Sequence, residues 1–346
     1  MYLHSFSDNY CDEKEKSLMN KVLVILNPRA GKNSSRKKQD DIIRAFKDYG
    51  FAVTEKVTTC VGDATEIVKH NIKGHNLVAC CGGDGTFNET MNGVLAVNSQ
   101  VPIMYIPMGT TNDLANTIGV TSDINSQIEL FLSGNINSYD VGQFNNRHFS
   151  YVASFGVGAD ASYNTSQKWK NRLGYTAYLL NGFVFGLPHQ IKNLKPHHIV
   201  IETEDNVIDD DFYFGAVSNS NEVAGLFKFN KQGIKLNDGV FEVILVKKVR
   251  GFFDALSLIK KIKAEDYDGV RIFNFKVSEK IKMTFDEELP WTLDGEFGGA
   301  HKNVDISILH DKINLVSPPS KYFVQNKVVE EKEEAVFAEE MAEIKK

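Results

Sequence analysis

Short apolar runs and helix-spaced apolar positions alternate along the first third of the chain. The runs have the length of strands and cover residues 21–26, 51–57, 77–81 and 102–106. Each run ends in a polar turn that leads toward a helical pattern, in which apolar residues recur every three or four positions. A regular alternation of strands and helices predicts a parallel sheet with both faces covered.

The pattern changes near Ser138, and short strands then dominate to about Leu315. These strands are predicted at residues 139–144, 148–155, 198–202, 211–217, 240–246, 270–275 and 280–285. Helical patterns interrupt them at residues 169–185 and 251–263. We therefore predict a second, mainly antiparallel β domain, with the boundary between the domains at residues 134–138.

These limits give an α/β domain at residues 21–137 and a β-rich domain at residues 138–304. Residues 1–20 are polar and are predicted to form a solvated N-terminal extension. Residues 321–346 are rich in glutamate and form either a short amphipathic helix or a frayed acidic tail.

Three polar turns follow strands of the predicted parallel sheet, at residues 27–32, 82–86 and 108–113. The carboxyl ends of parallel strands meet at one edge of a sheet, where α/β proteins bind their ligands. The first turn has two interpretations. Either its cations are ordinary solvated side chains, or its backbone surrounds the phosphates of a nucleotide. Three such turns at one edge indicate a ligand site.

The turn Gly82-Gly-Asp-Gly-Thr86 joins a buried strand to a helix, and Thr86 and Glu89 have the spacing of a capping box. Amides at such a helix start bind phosphate, and glycines let the ligand approach the backbone. Asp84 either serves the first-turn amides of its own helix or holds a cation beside the phosphates. The flanking glycines favour the second interpretation.

Further carboxylates have two interpretations each. Asp113 either caps the helix that follows it or faces Asp84 and holds Mg²⁺ through water. Asp294 and Glu296 flank a glycine, which is typical of a hairpin turn. Alternatively, Glu296 is a general base that reaches an acceptor hydroxyl over a cleft between the domains. Asp238, in an Asn-Asp-Gly turn, is a candidate cation ligand together with backbone carbonyls.

The composition narrows the class of protein. A net charge of −6 and a pI of about 5.9 argue against nucleic acid as the main partner. The four cysteines have no metal-binding spacing, and the adjacent Cys80 and Cys81 cannot form an ordinary bridge, so we predict a reduced, cytoplasmic protein. Residues 1–20 lack the pattern of a signal peptide, and the uncharged segment 173–187 is too short to span a membrane.

A series of motifs runs in a fixed order through residues 21–320. The motifs are Asn27-Pro-Arg-Ala-Gly31, Gly62-Asp-Ala64, Gly82-Gly-Asp-Gly-Thr86 with Asn88-Glu89, Met91-Asn-Gly93, Pro107-Met-Gly-Thr-Thr-Asn-Asp113, Asp140-Val-Gly142, Leu236-Asn-Asp-Gly239 and Asp294-Gly-Glu296. Together they resemble the soluble bacterial diacylglycerol kinase family, which is related to sphingosine kinases and, in fold, to NAD kinases.

The resemblance implies an ATP site in the cleft between an NAD-kinase-like α/β domain and the β-rich domain. It also implies that the chain returns to the first domain at roughly residues 305–320. The residues that would contact the nucleotide are Asn27, Pro28, Arg29, Ala30, Gly31, Thr58, Gly83, Asp84, Gly85, Thr86, Phe87, Asn88, Glu89 and Thr110.

The resemblance also implies a metal and catalytic set. A carboxylate–water–magnesium network would consist of Asp84, Asp113 and Asp140, and Glu296 would be the base, supported by Asp294. A structural magnesium would involve Asp238 and backbone carbonyls near Lys235 and Val240. Many relatives carry Asp where this chain has Asn237.

The implied reaction is the ATP- and Mg²⁺-dependent phosphorylation of diacylglycerol to phosphatidic acid. The ATP motifs would look the same in a kinase for phosphatidylglycerol, a sphingoid base or a prenol-type lipid, so these remain alternatives. A nucleotide-binding regulator without turnover is an alternative from a different functional class, although such a protein would not need Glu296.

A lipid substrate implies a peripheral position at the inner membrane surface, and relatives often form homodimers. Residues 175–187 carry aromatic side chains and follow the cations Lys168, Lys170 and Arg172. This pattern is typical either of an interfacial helix that docks on a membrane or of a helix in the core.

Overall fold

Four parallel strands form the N-terminal part of the protein in a computed structural model. The structure describes residues 20–31, 35–156, 195–223, 227–228, 233–247, 257–258, 260–262, 264–267 and 271–324. The four strands are β1 Lys21–Leu26, β2 Ala52–Val57, β3 Leu77–Gly82 and β4 Ile103–Pro107, in the spatial order β2-β1-β3-β4. Strands β3 and β4 are buried at every position, which explains their continuous apolar sequence. The predicted parallel pairing is confirmed.

Helices cover both faces of this sheet. They are α1 Arg36–Asp48, α2 Asp63–Asn71, α3 Asp84–Ala96, α4 Asp113–Ile118 and α5 Ile124–Leu132. Phe46 of α1 and Ile128 of α5 belong to the apolar cluster on one face. Val68 of α2, Met91 of α3 and Leu114 of α4 belong to the cluster on the other face. Because α3 follows β3 and α4 follows β4 along the chain, the starts of both helices lie at the carboxyl edge of the sheet.

The rest of the described chain is dominated by strands. They are β5 Ile136–Phe144, β6 Arg147–Phe149, β7 Val152–Gly156, β8 His197–Glu202, β9 Val207–Ser218, β10 Glu222–Val223, β11 Phe227–Lys228, β12 Phe241–Lys247, β13 Ile272–Val277, β14 Lys280–Leu293 and β15 Glu296–Val316. Their mutual pairings are antiparallel, as predicted. The strand predicted at residues 148–155 is interrupted at Ser150 and Tyr151.

The long strand β15 connects the antiparallel region to the parallel one. It pairs antiparallel with β14 and β5 along most of its length. Near its end, Leu315 and Val316 pair in parallel with Ile103 and Met104 of β4. The described strands apart from β10 and β11 thus form one continuous sheet, whose parallel and antiparallel regions meet at β4 and β15.

Several predictions from the sequence lie outside the described residues: the extension up to residue 19, the helical pattern at 169–185 with its docking segment 175–187, and the tail from residue 325. The predicted helix at 251–263 is described only at a few positions. Among the helices that the structure does describe, none combines the length and apolar character needed to cross a bilayer.

Candidate active site at the carboxyl edge of the parallel sheet

The three polar turns that follow β1, β3 and β4 lie against one another. A Cβ atom on Gly31 would lie 2.9 Å from the carbonyl oxygen of Met108. A Cβ atom on Gly109 would lie 2.8 Å from the Cα atom of Gly83. Gly31 also has a φ of +61°, which side-chain-bearing residues rarely adopt. Glycine is therefore required here for the close approach of backbones.

Asn27 fixes the shape of the first turn and joins it to the second. Its Nδ2 atom donates a hydrogen bond to Thr86 Oγ1 at 2.8 Å, and its Oδ1 atom accepts one from the Arg29 amide at 2.9 Å. The Asn27 amide also donates to the carbonyl oxygen of Cys81 at 2.9 Å. The side chain predicted to contact the nucleotide thus holds the turns after β1 and β3 in position.

The start of α3 leaves backbone donors toward the cleft. Its N-cap is Gly83, which provides no side-chain cap, and Asp84 is the first residue inside the helix. First-turn amides without an intrahelical partner are the groups that bind phosphates at helix starts. The interpretation of Asp84 as a cap for its own helix is wrong, because its carboxylate bonds to another helix.

The Asp84 carboxylate accepts hydrogen bonds from the start of α4. Its Oδ2 atom accepts from the Asp113 amide at 3.0 Å, and its Oδ1 atom accepts from the Leu114 amide at 3.4 Å and from the Tyr105 hydroxyl at 3.1 Å. Burial and then the charge of Asp113 raise the pKa of Asp84 to about 6. Two carboxylates are thus held close together, an arrangement that favours a cation or a shared proton.

The turn before α4 is built by its own asparagine. Asn112 has a φ of +53° and provides no side-chain cap to the helix. Its Oδ1 atom instead accepts from the Gly109 amide at 2.9 Å, and its Nδ2 atom donates to the Gly109 carbonyl at 3.0 Å. Asp84 therefore supplies the cap that Asn112 does not provide, and the two predicted metal ligands Asp84 and Asp113 are brought together.

Asp294 and Gly295 form the tight turn between β14 and β15. Their φ values are +50° and +80°, and Leu293 pairs with Glu296 across the turn. Positive φ at both central residues defines a type I′ hairpin turn, for which Asp-Gly is a preferred sequence. The hairpin interpretation is confirmed, but the turn is not a surface feature because Asp294 is only 5% exposed.

The Asp294 carboxylate accepts five hydrogen bonds. Its Oδ2 atom accepts from the Ser150 amide (2.6 Å), the Ser150 hydroxyl (2.8 Å) and Asn88 Nδ2 (2.8 Å). Its Oδ1 atom accepts from the amides of Tyr151 (2.9 Å) and Val152 (3.1 Å). Burial raises the pKa of Asp294, while these donors oppose that rise. Asp294 therefore anchors the hairpin to β7 and to α3.

Glu296 follows this anchor as the first residue of β15, and its side chain is exposed. Asp294, two positions before it, is held by hydrogen bonds from Asn88, Ser150 and Val152. Glu296 thus presents an exposed carboxylate beside a turn that is held in place, and a general base likewise needs a fixed position.

Asp140, on β5, belongs to a different group of contacts from the one predicted. Its Oδ2 atom accepts from the Gly239 amide at 2.7 Å, and its Oδ1 atom accepts from the Asp311 amide at 2.8 Å. His310 Nδ1 lies 2.8 Å from the same Oδ1 atom. Asp140 thus connects β5 to the 236–240 turn and to β15, and its membership in the magnesium network stays a prediction.

The predicted structural magnesium ligands lie in and beside the 236–240 turn. Asp238 Oδ1 accepts from the Val240 amide at 3.1 Å, and Lys235 Nζ donates to the Lys321 carbonyl at 2.6 Å. Asn237 is buried, and its amide both accepts from the Val324 amide at 2.7 Å and donates to the Val324 carbonyl at 3.3 Å. Asn237 therefore has a structural role in this chain, because a carboxylate in its place could not donate.

Comparisons with known proteins agree with this geometry. The family profile described as the diacylglycerol kinase catalytic domain matches residues 21–144. The chain is 28% identical over 305 residues to a diacylglycerol kinase of Bacillus subtilis, covering 88% of this chain and 98% of that protein. It is also 28% identical to a diacylglycerol kinase of Staphylococcus saprophyticus, covering 80% and 88% of the two chains. Residues 21–144 thus match a diacylglycerol kinase catalytic domain, and the chain is similar to bacterial diacylglycerol kinases along most of its length.

The domain match and these relatives indicate a lipid kinase. A crystal structure of a diacylglycerol kinase from Bacillus anthracis has a TM-score of 0.70 with it, at 24% identity, and covers 87% of this chain and 97% of that one. The fold of the kinase, mixed α/β with a strand-rich second region, is therefore shared with that protein.

Three predicted nucleotide contacts of the kinase have structural partners. The Glu89 carboxylate accepts from the amides of Gly62 (2.8 Å) and Ala64 (3.2 Å), and it thus caps α2. The Phe87 ring is fully buried against Tyr105, and its contact with a nucleotide stays a prediction. Asn88 donates to Asp294. Within this segment, the backbone amides at the start of α3 are the groups best placed to bind phosphates.

The remaining predicted contacts of the kinase surround the same edge. The exposed ones are Pro28, Arg29, Gly31, Gly85 and Thr110, and the buried ones are Ala30, Thr58 and Thr86. Thr58 lies at the end of β2, where its amide donates to the Leu26 carbonyl at 2.9 Å.

The sequence did not identify Tyr105 and Tyr151 as residues of the site. The only signal for Tyr105 was a hydroxyl in an otherwise apolar strand. Tyr151 lay inside a predicted strand, and nothing in the sequence marked the interruption there.

Proposed function

We propose that this chain transfers the γ-phosphoryl group of ATP to the hydroxyl of diacylglycerol, giving phosphatidic acid and ADP. The observation that carries the proposal is the 2.8 Å hydrogen bond from Asn88 to Asp294, which ties the phosphate-binding helix α3 to the hairpin of Glu296. A phosphoryl donor and a general base are thereby supported by one rigid connection. In phosphoryl transfer, positioning and charge neutralisation provide most of the catalysis.

The nucleotide phosphates would bind the uncapped amides at the start of α3. Gly83 and Gly85 leave these amides open, and Gly31 and Gly109 bring the neighbouring turns against them. Amides that point at the ligand and the positive end of the helix dipole both favour the anionic phosphates. Pro28, Arg29, Ala30, Thr58 and Thr110 would form the surrounding walls of the nucleotide site.

Magnesium fits the pair Asp84 and Asp113. Burial and then the charge of Asp113 raise the pKa of Asp84, and a cation would relieve the repulsion between the two carboxylates. Asp140 lies in a separate group of contacts with Gly239, His310 and Asp311, so we assign the cation to Asp84 and Asp113. When bound, Mg²⁺ supplies positive charge that offsets the charge of the phosphates.

Glu296 would act as the general base. Its carboxylate takes the proton of the acceptor hydroxyl, whose oxygen attacks the γ-phosphorus as the bond to the β,γ-bridging oxygen breaks. ADP leaves with the electron pair of that bond. Asp294 positions Glu296 but has five donors of its own, so it does not take part in proton transfer.

A structural metal ion and a membrane-bound homodimer would support the reaction. A structural Mg²⁺ would bind beside the 236–240 turn, with Asp238 and the carbonyl oxygens of Lys235 and Val240 as ligands. The lipid would be met at the inner surface of the cytoplasmic membrane, by a homodimer of the chain.

A lipid panel with labelled ATP tests the function. We expect diacylglycerol vesicles to yield labelled phosphatidic acid, with no product when Mg²⁺ is chelated. Phosphatidylglycerol, a sphingoid base and a prenol-type alcohol serve as competing acceptors, resolved by chromatography. A product from one of these alone would replace diacylglycerol as the substrate. Nucleotide binding without any labelled lipid would instead favour the regulatory alternative.

A further inference from the structure

Tyr151 lies between β6 and β7 where the two halves of the site meet, and the mechanism above does not use its side chain. Its amide donates to Asp294 Oδ1 at 2.9 Å, and its carbonyl oxygen accepts from the Asn219 amide at 2.9 Å. The residue is 7% exposed. Both backbone groups are held, so the phenol extends from a fixed point.

The phenol reaches the hairpin that carries the base. A Cβ atom on Gly295 would lie 3.9 Å from the Tyr151 hydroxyl oxygen, and Gly295 directly precedes Glu296. The charges of Asp84, Asp294 and Asp113 also act on this hydroxyl. These carboxylates belong to the start of α3, the β14–β15 turn and the start of α4. The hydroxyl therefore lies beside the hairpin that carries Glu296.

The Tyr151 hydroxyl has no hydrogen-bond partner among the residues that the structure describes. The tyrosines around it differ in this respect: Tyr105 donates to Asp84 at 3.1 Å, and Tyr139 donates to the Ser150 carbonyl at 2.7 Å. Although the residue as a whole is mostly buried, its hydroxyl oxygen is not among the fully buried polar atoms that lack a partner, so the hydroxyl is open to solvent. A ligand beside the hairpin can therefore accept its hydrogen bond.

The surroundings make this hydroxyl a donor rather than a base. Burial and then the carboxylates nearby raise the pKa of Tyr151 well above its usual value, so the phenol keeps its proton at neutral pH. A neutral donor among carboxylates favours an anionic acceptor.

We propose that the Tyr151 hydroxyl donates a hydrogen bond to a non-bridging oxygen of the phosphoryl group during its transfer. This inference rests on the proposed kinase function. The carboxylates of Asp84, Asp113 and Asp294 would otherwise repel that phosphoryl group, and a cation at Asp84 and Asp113 offsets only part of this repulsion. A donor aimed at the position where charge develops lowers the barrier to transfer and leaves ground-state binding unchanged.

Tyr151→Phe tests the proposal, with Tyr139→Phe as the matched control. The probes are Mg·ATP and dioctanoylglycerol in mixed micelles for kcat and KM, Mg·ADP for nucleotide affinity, and thermal unfolding for stability. We expect kcat of Tyr151→Phe to fall roughly 10- to 100-fold, the effect of one hydrogen bond to a charged group. Both KM values, the Mg·ADP affinity and the Tm should stay close to those of the parent.

The control should show the opposite pattern. Tyr139→Phe removes a buried hydrogen bond to the Ser150 carbonyl, so its Tm should fall while its kcat is retained. A parental kcat in Tyr151→Phe, or a loss confined to the KM of the lipid, would overturn the proposal. An equal loss of kcat in both variants would make the role of Tyr151 structural and would also overturn it. If the parent phosphorylates no lipid, the proposed function fails, and this inference fails with it.

Discussion

Asn88 of α3 donates a 2.8 Å hydrogen bond to Asp294, a residue 206 positions further along the chain. The bond crosses from the parallel region to the hairpin of the antiparallel region. Because Asn88 lies one turn beyond the first amides of α3 and Asp294 lies two residues before Glu296, this contact sets the spacing between the start of α3 and Glu296. Neither residue needs to touch the substrate for the contact to matter.

Asp294→Ala should destabilise the fold. The substitution leaves the amides of Ser150, Tyr151 and Val152 and the Asn88 side chain without their acceptor in a buried position. Removal of one side of a buried charged network costs about 3–5 kcal/mol. Urea denaturation measures the free energy of unfolding. Asp286→Ala, an exposed position on β14, is the control and should leave stability within about 0.5 kcal/mol of the parent.

Glu296→Gln should abolish turnover and preserve the fold. The side chain is exposed, so the substitution changes the ability to accept a proton without disturbing packing. Loss of a general base costs roughly 10²- to 10⁴-fold in rate. Lipid phosphorylation and calorimetric binding of Mg·ADP are measured on the same preparation. Glu288→Gln, on the neighbouring strand, is the control; near-parental activity of Glu296→Gln would remove the base assignment.

Asp84→Asn should remove most of the activity and the response to Mg²⁺. The amide retains an acceptor oxygen for the start of α4 but lacks the charge that a cation needs. We measure the rise in Tm that Mg²⁺ causes in the presence of ADP, which should be present in the parent and absent in the variant. An unchanged Mg²⁺ dependence in Asp84→Asn would contradict the metal assignment.

Glu242 should make stability fall as the pH rises. It is 2% exposed on β12, its Oε1 atom lies 3.7 Å from Lys276 Nζ, and burial raises its pKa to about 8. The folded state therefore keeps a proton that the unfolded state releases from about pH 4.5 upward. The stabilising effect of that proton is complete below about pH 4.5 and lost as the pH rises through about 8.

Denaturation between pH 5 and pH 8.5 checks this dependence. Glu242→Gln should flatten the stability profile across that window, because the amide does not titrate. Glu202→Gln, at an exposed position on β8, should retain the parental slope. A variant of Glu242 with the parental slope would show that another group governs the pH dependence.

Much of the site could be predicted from local sequence. The turn Gly82-Gly-Asp-Gly-Thr86 was correctly placed between a strand and a helix, and its approach to the turns at residues 27–31 and 108–113 followed from the rule for parallel sheets. Asp294-Gly295 was correctly recognised as a hairpin turn. These features depend on residues close in sequence, so the sequence pattern determines them.

The partners of individual side chains could not be predicted in the same way. Glu89 caps α2, Asp84 caps α4, and Asp140 bonds to Gly239 and His310. In each case the sequence showed a carboxylate near a turn but could not show which distant amides would meet it. Such contacts depend on the packing of elements that are far apart in the chain.

The sequence by itself determined the alternation of strands and helices, the glycine turns and the residue types available for phosphate, metal and base. Only the tertiary structure decided which carboxylates hold the fold and which remain open to a ligand. The physical reason is that buried carboxylates must find donors, and the donors for Asp294 come from Ser150, Tyr151, Val152 and Asn88, all more than a hundred residues away in the chain. Glu296, two positions later, is exposed, and the buried donors around the hairpin go to Asp294.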